Sequence, residues 1–176
     1  MNTVALKIKK AAILLLSAAL CTAVTAEAYN MRENFESYEA GSGRCGFDSC
    51  SGTVSGDESN KYLLLSPGTS AEKYTDSCKG SVNVSVRFMQ TAKVSGRLLM
   101  LWNSGKTTRS NLMWIVDNSL VLAMDNGRSD ADRKLCGLTA NKWYSVKISL
   151  DFDNQKITQI YVDDAPMLSE PVAMYT

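Results

Sequence analysis

Histidine does not occur anywhere in the 176 residues of this chain. Its absence excludes the Ser-His-Asp and Cys-His arrangements of nucleophilic catalysis, and the imidazole ligands of most catalytic zinc sites. An excess of charge of one sign is missing too, since 19 Lys and Arg face 18 Asp and Glu. Such balance argues against nucleic acid or an anionic membrane as the partner. No sustained helical period, internal repeat or low-complexity linker is present. After Ala28 no apolar run approaches the roughly 18 residues a membrane span needs, so the expectation is a soluble mature chain.

What is present begins with a leader. Lys7, Lys9 and Lys10 give Met1 to Ala28 a positive start, Ala11 to Leu20 form an apolar core, and small residues follow. This is the pattern of a secretory signal peptide, and it implies a secreted, extracellular protein. Cleavage after Ala26 (Val24-Thr25-Ala26) and after Ala28 (Ala26-Glu27-Ala28) both suit the small-residue rule, with Ala28 preferred. A lipid anchor on Cys21 is the competing reading, opposed by Leu20 where a small residue is expected. Removing 28 residues leaves 148, with 16 basic against 17 acidic side chains. One domain at 29–176 is the expectation.

Four cysteines survive that cut: Cys45, Cys50, Cys78 and Cys136. An even number in an exported chain favours two disulfides, with three connectivities open. The Cys45-Gly46-Phe47-Asp48-Ser49-Cys50 spacing allows a small local loop. Cys78 would then pair with Cys136, closing a long loop worth roughly 4 to 5 kcal/mol in the chain-entropy account. A zinc site is the rival, without histidine and without paired Cys-x-x-Cys knuckles to support it.

Alternation of apolar and polar residues marks strands. Tyr144, Val146, Ile148, Leu150 and Phe152 alternate with Ser145, Lys147, Ser149, Asp151 and Asp153. Five apolar residues on one parity make a half-buried strand. The polar turn Asp153-Asn154-Gln155-Lys156 leads to a second run with Ile160 and Val162 on one face, which ends at Asp163-Asp164-Ala165-Pro166. Val82, Val84, Val86 and Phe88 alternate in the same way, and Lys61 to Ser66 forms a further strand closed by Pro67-Gly68. Leu98 to Trp102, Leu112 to Val116 and Leu120 to Met124 differ, being apolar on both parities. Such strands are expected to be covered on both faces or to face a groove. The last two are joined by Asp117-Asn118-Ser119, a tight hairpin turn. About seven strands separated by Gly, Ser, Asn and Asp clusters predict an all-β antiparallel sandwich.

The Trp143-to-Pro166 hairpin resembles a recurring pair in the concanavalin A-like (LamG-like) lectin/glucanase jelly rolls, a Trp-Tyr-x-Val-x-Ile-x-Leu-Asp strand followed by Tyr-Val-Asp-Gly-x-Pro. Asn34-Phe35-Glu36-Ser37-Tyr38 with Gly41 is similar to the opening of many bacterial members, where the first strand enters the sandwich, and Lys61-Tyr62-Leu63-Leu64-Leu65 to the strand that follows. Two departures stand out. Asp164 occupies the usual Gly position of the Val-Asp-Gly turn, implying a different turn type. Only ten residues follow Pro166, whereas these sandwiches commonly return with one or two more strands, so the expectation is either a C-terminally incomplete domain or an open sheet edge.

The resemblance implies a non-catalytic carbohydrate-binding or adhesion module, with a glycan or a cell-surface protein as partner. A structural or protein-interaction domain is the alternative. The glucanase branch places its acid and nucleophile on a Glu-x-Asp-x-x-Glu strand motif, and no such run occurs here; glycosidic cleavage requires paired carboxylates. Asp151 and Asp153 share a strand face, but on the polar parity at a hairpin end, as solvated charges. Ser70-Ala71-Glu72-Lys73 fits the Ser-x-x-Lys signature without its helix or companion motifs. Gly105-Lys106-Thr107 resembles the end of a phosphate loop without a helix after it. No catalytic residue is assigned. Trp102 and Trp114, on the doubly apolar strands, are the candidate ligand-binding residues, for stacking on sugar rings; the competing reading buries both in the core. Trp143 reads as a structural plug. No cofactor is expected, although the resemblance admits Ca2+, for which Asp125-Asn126-Gly127 and Asp130-Ala131-Asp132 offer hard oxygen ligands.

Overall fold

The computed structural model describes residues 14–24, 30–43, 46–74, 78–93, 95–102, 109–124 and 132–174, with the backbone alone for 14–24, 30–32, 102 and 109–111. Among the described residues there are fifteen strands and no helix. A nine-stranded antiparallel sheet is built from β1 (Leu14–Val24), β2 (Asn30–Arg32), β4 (Thr53–Asp57), β5 (Asn60–Leu65), β7 (Ser81–Gln90), β12 (Trp143–Asp151), β13 (Lys156–Val162), β14 (Ala165–Pro166) and β15 (Val172–Ala173). Its order is β14-β13-β12-β7-β1-β5-β4, with β15 beside β13 and β2 beside β1. A four-stranded sheet runs β11 (Arg133–Gly137), β10 (Ser119–Leu122), β9 (Arg109–Val116), β8 (Gly96–Trp102). The small pair β3 (Ser49–Cys50) and β6 (Ala71–Glu72) stands apart.

The alternating runs form alternating strands. β12 buries Tyr144, Val146, Ile148 and Leu150, and β7 buries Val82, Val84, Val86 and Phe88. The two are paired along nine residue pairs, from Trp143 opposite Met89 to Asp151 opposite Ser81. Their inward residues join Leu98, Leu99, Met113, Ile115 and Leu120 of the four-stranded sheet in a single core cluster. Two antiparallel sheets sharing one apolar core are consistent with a β-sandwich.

Tight turns set the hairpin registers. Asp117 and Asn118 join β9 to β10 with φ of 47° and 60°, and Asp163 and Asp164 join β13 to β14 with 49° and 65°. Two consecutive left-handed residues make the mirror-image turn whose twist suits two-residue hairpins, and Asp and Asn tolerate that region. Asp164 therefore fills the usual glycine position without a glycine. Asp163 is further held, its Oδ1 accepting the Ser145 N–H at 2.8 Å while its own N–H donates to the Ser145 carbonyl at 2.8 Å.

One expectation changes. Asn34–Tyr38, expected to carry the first strand into the sheet, is a turn instead. Asn34 Oδ1 accepts the Glu36 N–H at 3.3 Å, and Phe35 takes a φ of 63°, which breaks an extended run. Within the leader-like segment, Leu14–Val24 pairs as β1 with β7 on one side and with β5 and β2 on the other. Both candidate cleavage positions, after Ala26 and after Ala28, lie outside the described residues.

Candidate functional site

The doubly apolar strands owe their pattern partly to irregular pairing. In the β8–β9 ladder Arg97 lies opposite Trp114 and Leu99 opposite Met113, so Leu98 has no direct partner; Met100 then lies opposite Asn111, which skips Leu112. Each skipped residue shifts the inward parity by one. Leu98, Leu99, Leu112 and Met113 are all buried as a result. The remaining apolar residues of the opposite parity, Met100 and Val121, are buried too, at 0% and 8% exposure, though outside the shared core cluster.

Trp114 belongs to that second face. It lies opposite Arg97 on β8 and Val121 on β10, and directly opposed residues share a face. Ile115 and Leu120, one register step away, point into the shared core. The Trp114 indole is half-buried, and the Arg97 guanidinium carbon lies 5.2 Å from its ring centroid. A cation so placed is attracted to the ring quadrupole. Trp114 Nε1 is buried without a hydrogen-bond partner. Two residues on, Val116 is 37% exposed, the one large hydrophobic so exposed among the described residues. The burial reading of Trp114 as a core residue therefore gives way to a place on the outer face of the four-stranded sheet. Trp102 ends β8, where its backbone lies opposite Arg109, and its side chain lies outside the description.

Trp143 sits on the outer face of the large sheet, half-buried, with the Arg87 guanidinium 5.2 Å from its ring centroid and Tyr62 edge-on at 6.2 Å. Asp151 accepts from the Asn154 backbone at 3.0 Å and from its side-chain amide at 2.8 Å, the hydrogen bonds of a turn cap.

The residue missed by sequence reading is Glu33. Its carboxylate is 8% exposed and accepts three hydrogen bonds: from the Phe35 N–H at 2.7 Å, the Tyr38 hydroxyl at 3.2 Å and the Gly46 N–H at 3.1 Å. It ties the left-handed Phe35, whose ring stacks on Phe47 at 6.3 Å, to the loop at Gly46. A capping carboxylate saturated by donors is a structural clamp, and no sequence motif announces it.

Among the cysteines, no disulfide joins Cys50, Cys78 and Cys136 to one another, and Cys45 lies outside the described residues. The Cys136 thiol, on β11, is half-buried; burial, then the Asp163 carboxylate, push its pKa above the usual value, against the pull of Lys134 and Lys142. In the former Ser-x-x-Lys stretch, Lys73 forms an ion pair with Asp48 at 3.1 Å. Gly105-Lys106-Thr107 and the acidic stretch from Asp125 to Ala131 lie outside the described residues; Asp132 accepts the Met124 N–H at 3.3 Å. Among the described residues no cluster of three or more His, Cys, Asp or Glu is arranged to hold a metal ion, and no helix is long and apolar enough to cross a membrane.

Comparison with known protein families, with curated proteins and with solved structures gave no match in any of the three.

Proposed function

We propose that the chain is an exported, non-catalytic carbohydrate-binding or adhesion module, with a concanavalin A-like jelly-roll architecture and its binding surface on the outer face of the four-stranded sheet. The observation that carries this reading is the Trp114 patch: a half-buried indole beside a guanidinium, with the exposed Val116 two residues along the same strand. An indole face stacks on the apolar side of a sugar ring, which is the contact this reading assigns to Trp114. Support for the architecture comes from two antiparallel sheets on one core and from the hairpin that ends in the Asp163-Asp164 turn.

The test is a glycan array probed with the protein recovered from a secreting host. Binding to a defined glycan class is expected, lost on Trp114→Ala and weakened on Arg97→Ala while the far-ultraviolet circular dichroism is unchanged. Binding that survives Trp114→Ala would move the site elsewhere. Cell-surface binding that resists glycan oxidation but disappears after protease treatment of the cells would instead assign a protein partner. Intact mass without reductant tests the cysteines: a mass lower than the reduced cut chain by four hydrogens would mean two disulfides, one of them among Cys50, Cys78 and Cys136, which are not joined to one another in the structure described.

A further inference from the structure

The sheet is filled by a strand that export would remove. β1 comes from the leader-like segment, and it lies in the middle of the large sheet. It pairs with β7 over ten residue pairs, from Leu14 opposite Gln90 to Val24 opposite Ser81, and with β5 over three, from Leu14 opposite Leu65 to Leu16 opposite Leu63. Cutting after Ala26 or Ala28 separates this strand from the domain. What it leaves is a gap bounded by the full length of β7 on one side and, on the other, by β5 beside Leu14–Leu16 and by β2 beside Leu20–Thr22.

β7, which bounds the gap along its whole length, is not built as a sheet edge. Natural edges are shortened, bulged, or guarded by lysine and proline. β7, Ser-Val-Asn-Val-Ser-Val-Arg-Phe-Met-Gln, is ten residues long, has a single charge and no proline, and pairs with β12 without a bulge. Its Val82, Val86 and Phe88 are 2%, 3% and 0% exposed, and Leu63 and Leu65 of β5 are 0% and 1%. For β7 these are the properties of a strand paired on both sides.

We propose that the gap between β5 and β7 is a strand-acceptor site, filled in the mature protein by an extended segment of a partner polypeptide. The register of β1 states what such a segment must be: about ten residues running antiparallel to both β7 and β5, with small or apolar residues at every second position. Leu14, Leu16, Ala19, Cys21 and Ala23 stand opposite Gln90, Phe88, Val86, Val84 and Val82, and the step from Ser17 to Ala19 carries an irregularity that the partner also accommodates. Recognition is by main-chain hydrogen bonds, with specificity from the alternate side chains. The site is distinct from the Trp114 face and rests on the export part of the proposed function.

The experiment starts from the protein recovered from a secreting host, whose N-terminus is read by intact mass. Its probe is a synthetic peptide spanning Leu14 to Val24, flanked by lysines for solubility. In the cut protein alternate β7 amides between Ser81 and Gln90, those that point away from β12, are expected to exchange with deuterium readily. Added peptide should slow them at least tenfold and bind saturably, whereas a scrambled peptide, or one with Ala19→Pro, should not. If the cut chain refolds only with the peptide present, the proposal is equally supported. Slow exchange of these β7 amides without any peptide, failure of the peptide to bind, or failure to refold with or without it overturns the proposal and leaves the export reading intact. Recovery of a chain that retains residues 14–24 overturns both.

Discussion

Replacing Glu33 with alanine removes the acceptor for three donors at once. The Phe35 N–H at 2.7 Å is buried, and the Gly46 N–H at 3.1 Å and the Tyr38 hydroxyl at 3.2 Å are partly buried. Hydrogen bonds to charged groups are worth about 1.5–3 kcal/mol each, but such values do not add when one carboxylate serves several donors and water reaches some of them after the change. The expected loss for Glu33→Ala is about 2–4 kcal/mol. Glu33→Gln keeps one oxygen for Phe35 and sets an amide N–H against that of Gly46, so about 1–2 kcal/mol is expected.

Gly46 provides the internal control. A Cβ built there overlaps Glu33 Oε2. Gly46→Ala should therefore destabilise the wild-type protein by displacing the clamp, and cost little where Glu33 is already alanine. A double-mutant cycle measured by urea unfolding, with tryptophan fluorescence as the signal and unchanged m values, is expected to give a coupling of at least about 1 kcal/mol. A loss below about 0.5 kcal/mol for Glu33→Ala, the size of an ordinary surface change, would refute the clamp. So would an equal cost of Gly46→Ala in the two backgrounds.

Three further outcomes are expected. Phe88→Ala removes a fully buried ring that stacks on Tyr144 at 5.8 Å and should cost about 3–5 kcal/mol in the same unfolding assay. For Asp48, burial raises the pKa, but hydrogen bonds from the Tyr74 N–H and Lys73, with the Lys73 charge, outweigh it and hold the carboxyl below its ordinary value. Its contribution is thus present above the unfolded pKa of about 3.9 and lost as pH falls through the lower folded value, so Asp48→Asn should flatten the acid side of a stability-against-pH profile and leave the neutral side nearly parallel to wild type. In reduced, folded protein the raised pKa of Cys136 leaves less thiolate at pH 8 than an ordinary thiol has, and iodoacetamide should label it more slowly than it labels the same cysteine in urea.

Where side chains alternate and the ladder is regular, the fold was legible from the sequence. β7 and β12 follow their apolar parity residue by residue. Where the ladder slips, parity misleads. In β13 the register passes from Ser149 opposite Gln159 to Leu150 opposite Ile157, so Thr158 is an extra residue and Ile157 is buried together with Ile160. The sequence placed only Ile160 and Val162 on the inner face. The same effect in β8 and β9 produced runs that read as strands covered on both faces, although the skipped residues account for part of the apolar count. Trp114 was singled out by residue type and strand, yet its face could be known only from its pairing with Arg97 and Val121. Glu33 was invisible, because its donors at residues 35, 38 and 46 meet only after the turn at Phe35 has formed.

The leader-like segment poses a different difficulty, because two readings claim the same residues. An apolar run with small residues is what an export apparatus binds, and it is equally what a fully paired central strand requires, so composition cannot separate the two. Order of synthesis can. Leu14–Val24 emerges first, and its main partner Ser81–Gln90 follows with nearly sixty residues in between. At about 5–20 residues per second that interval lasts several seconds, far longer than the microseconds in which a local hairpin closes. During it the segment has no β7 to pair with and stays available for export. On the proposed export reading, retention in the cell would let the β1–β7 ladder form, while export followed by cleavage would remove β1 before it could. The same sequence would then give a closed sheet in a retained precursor and, in an exported protein, a strand position beside β7 left for a partner.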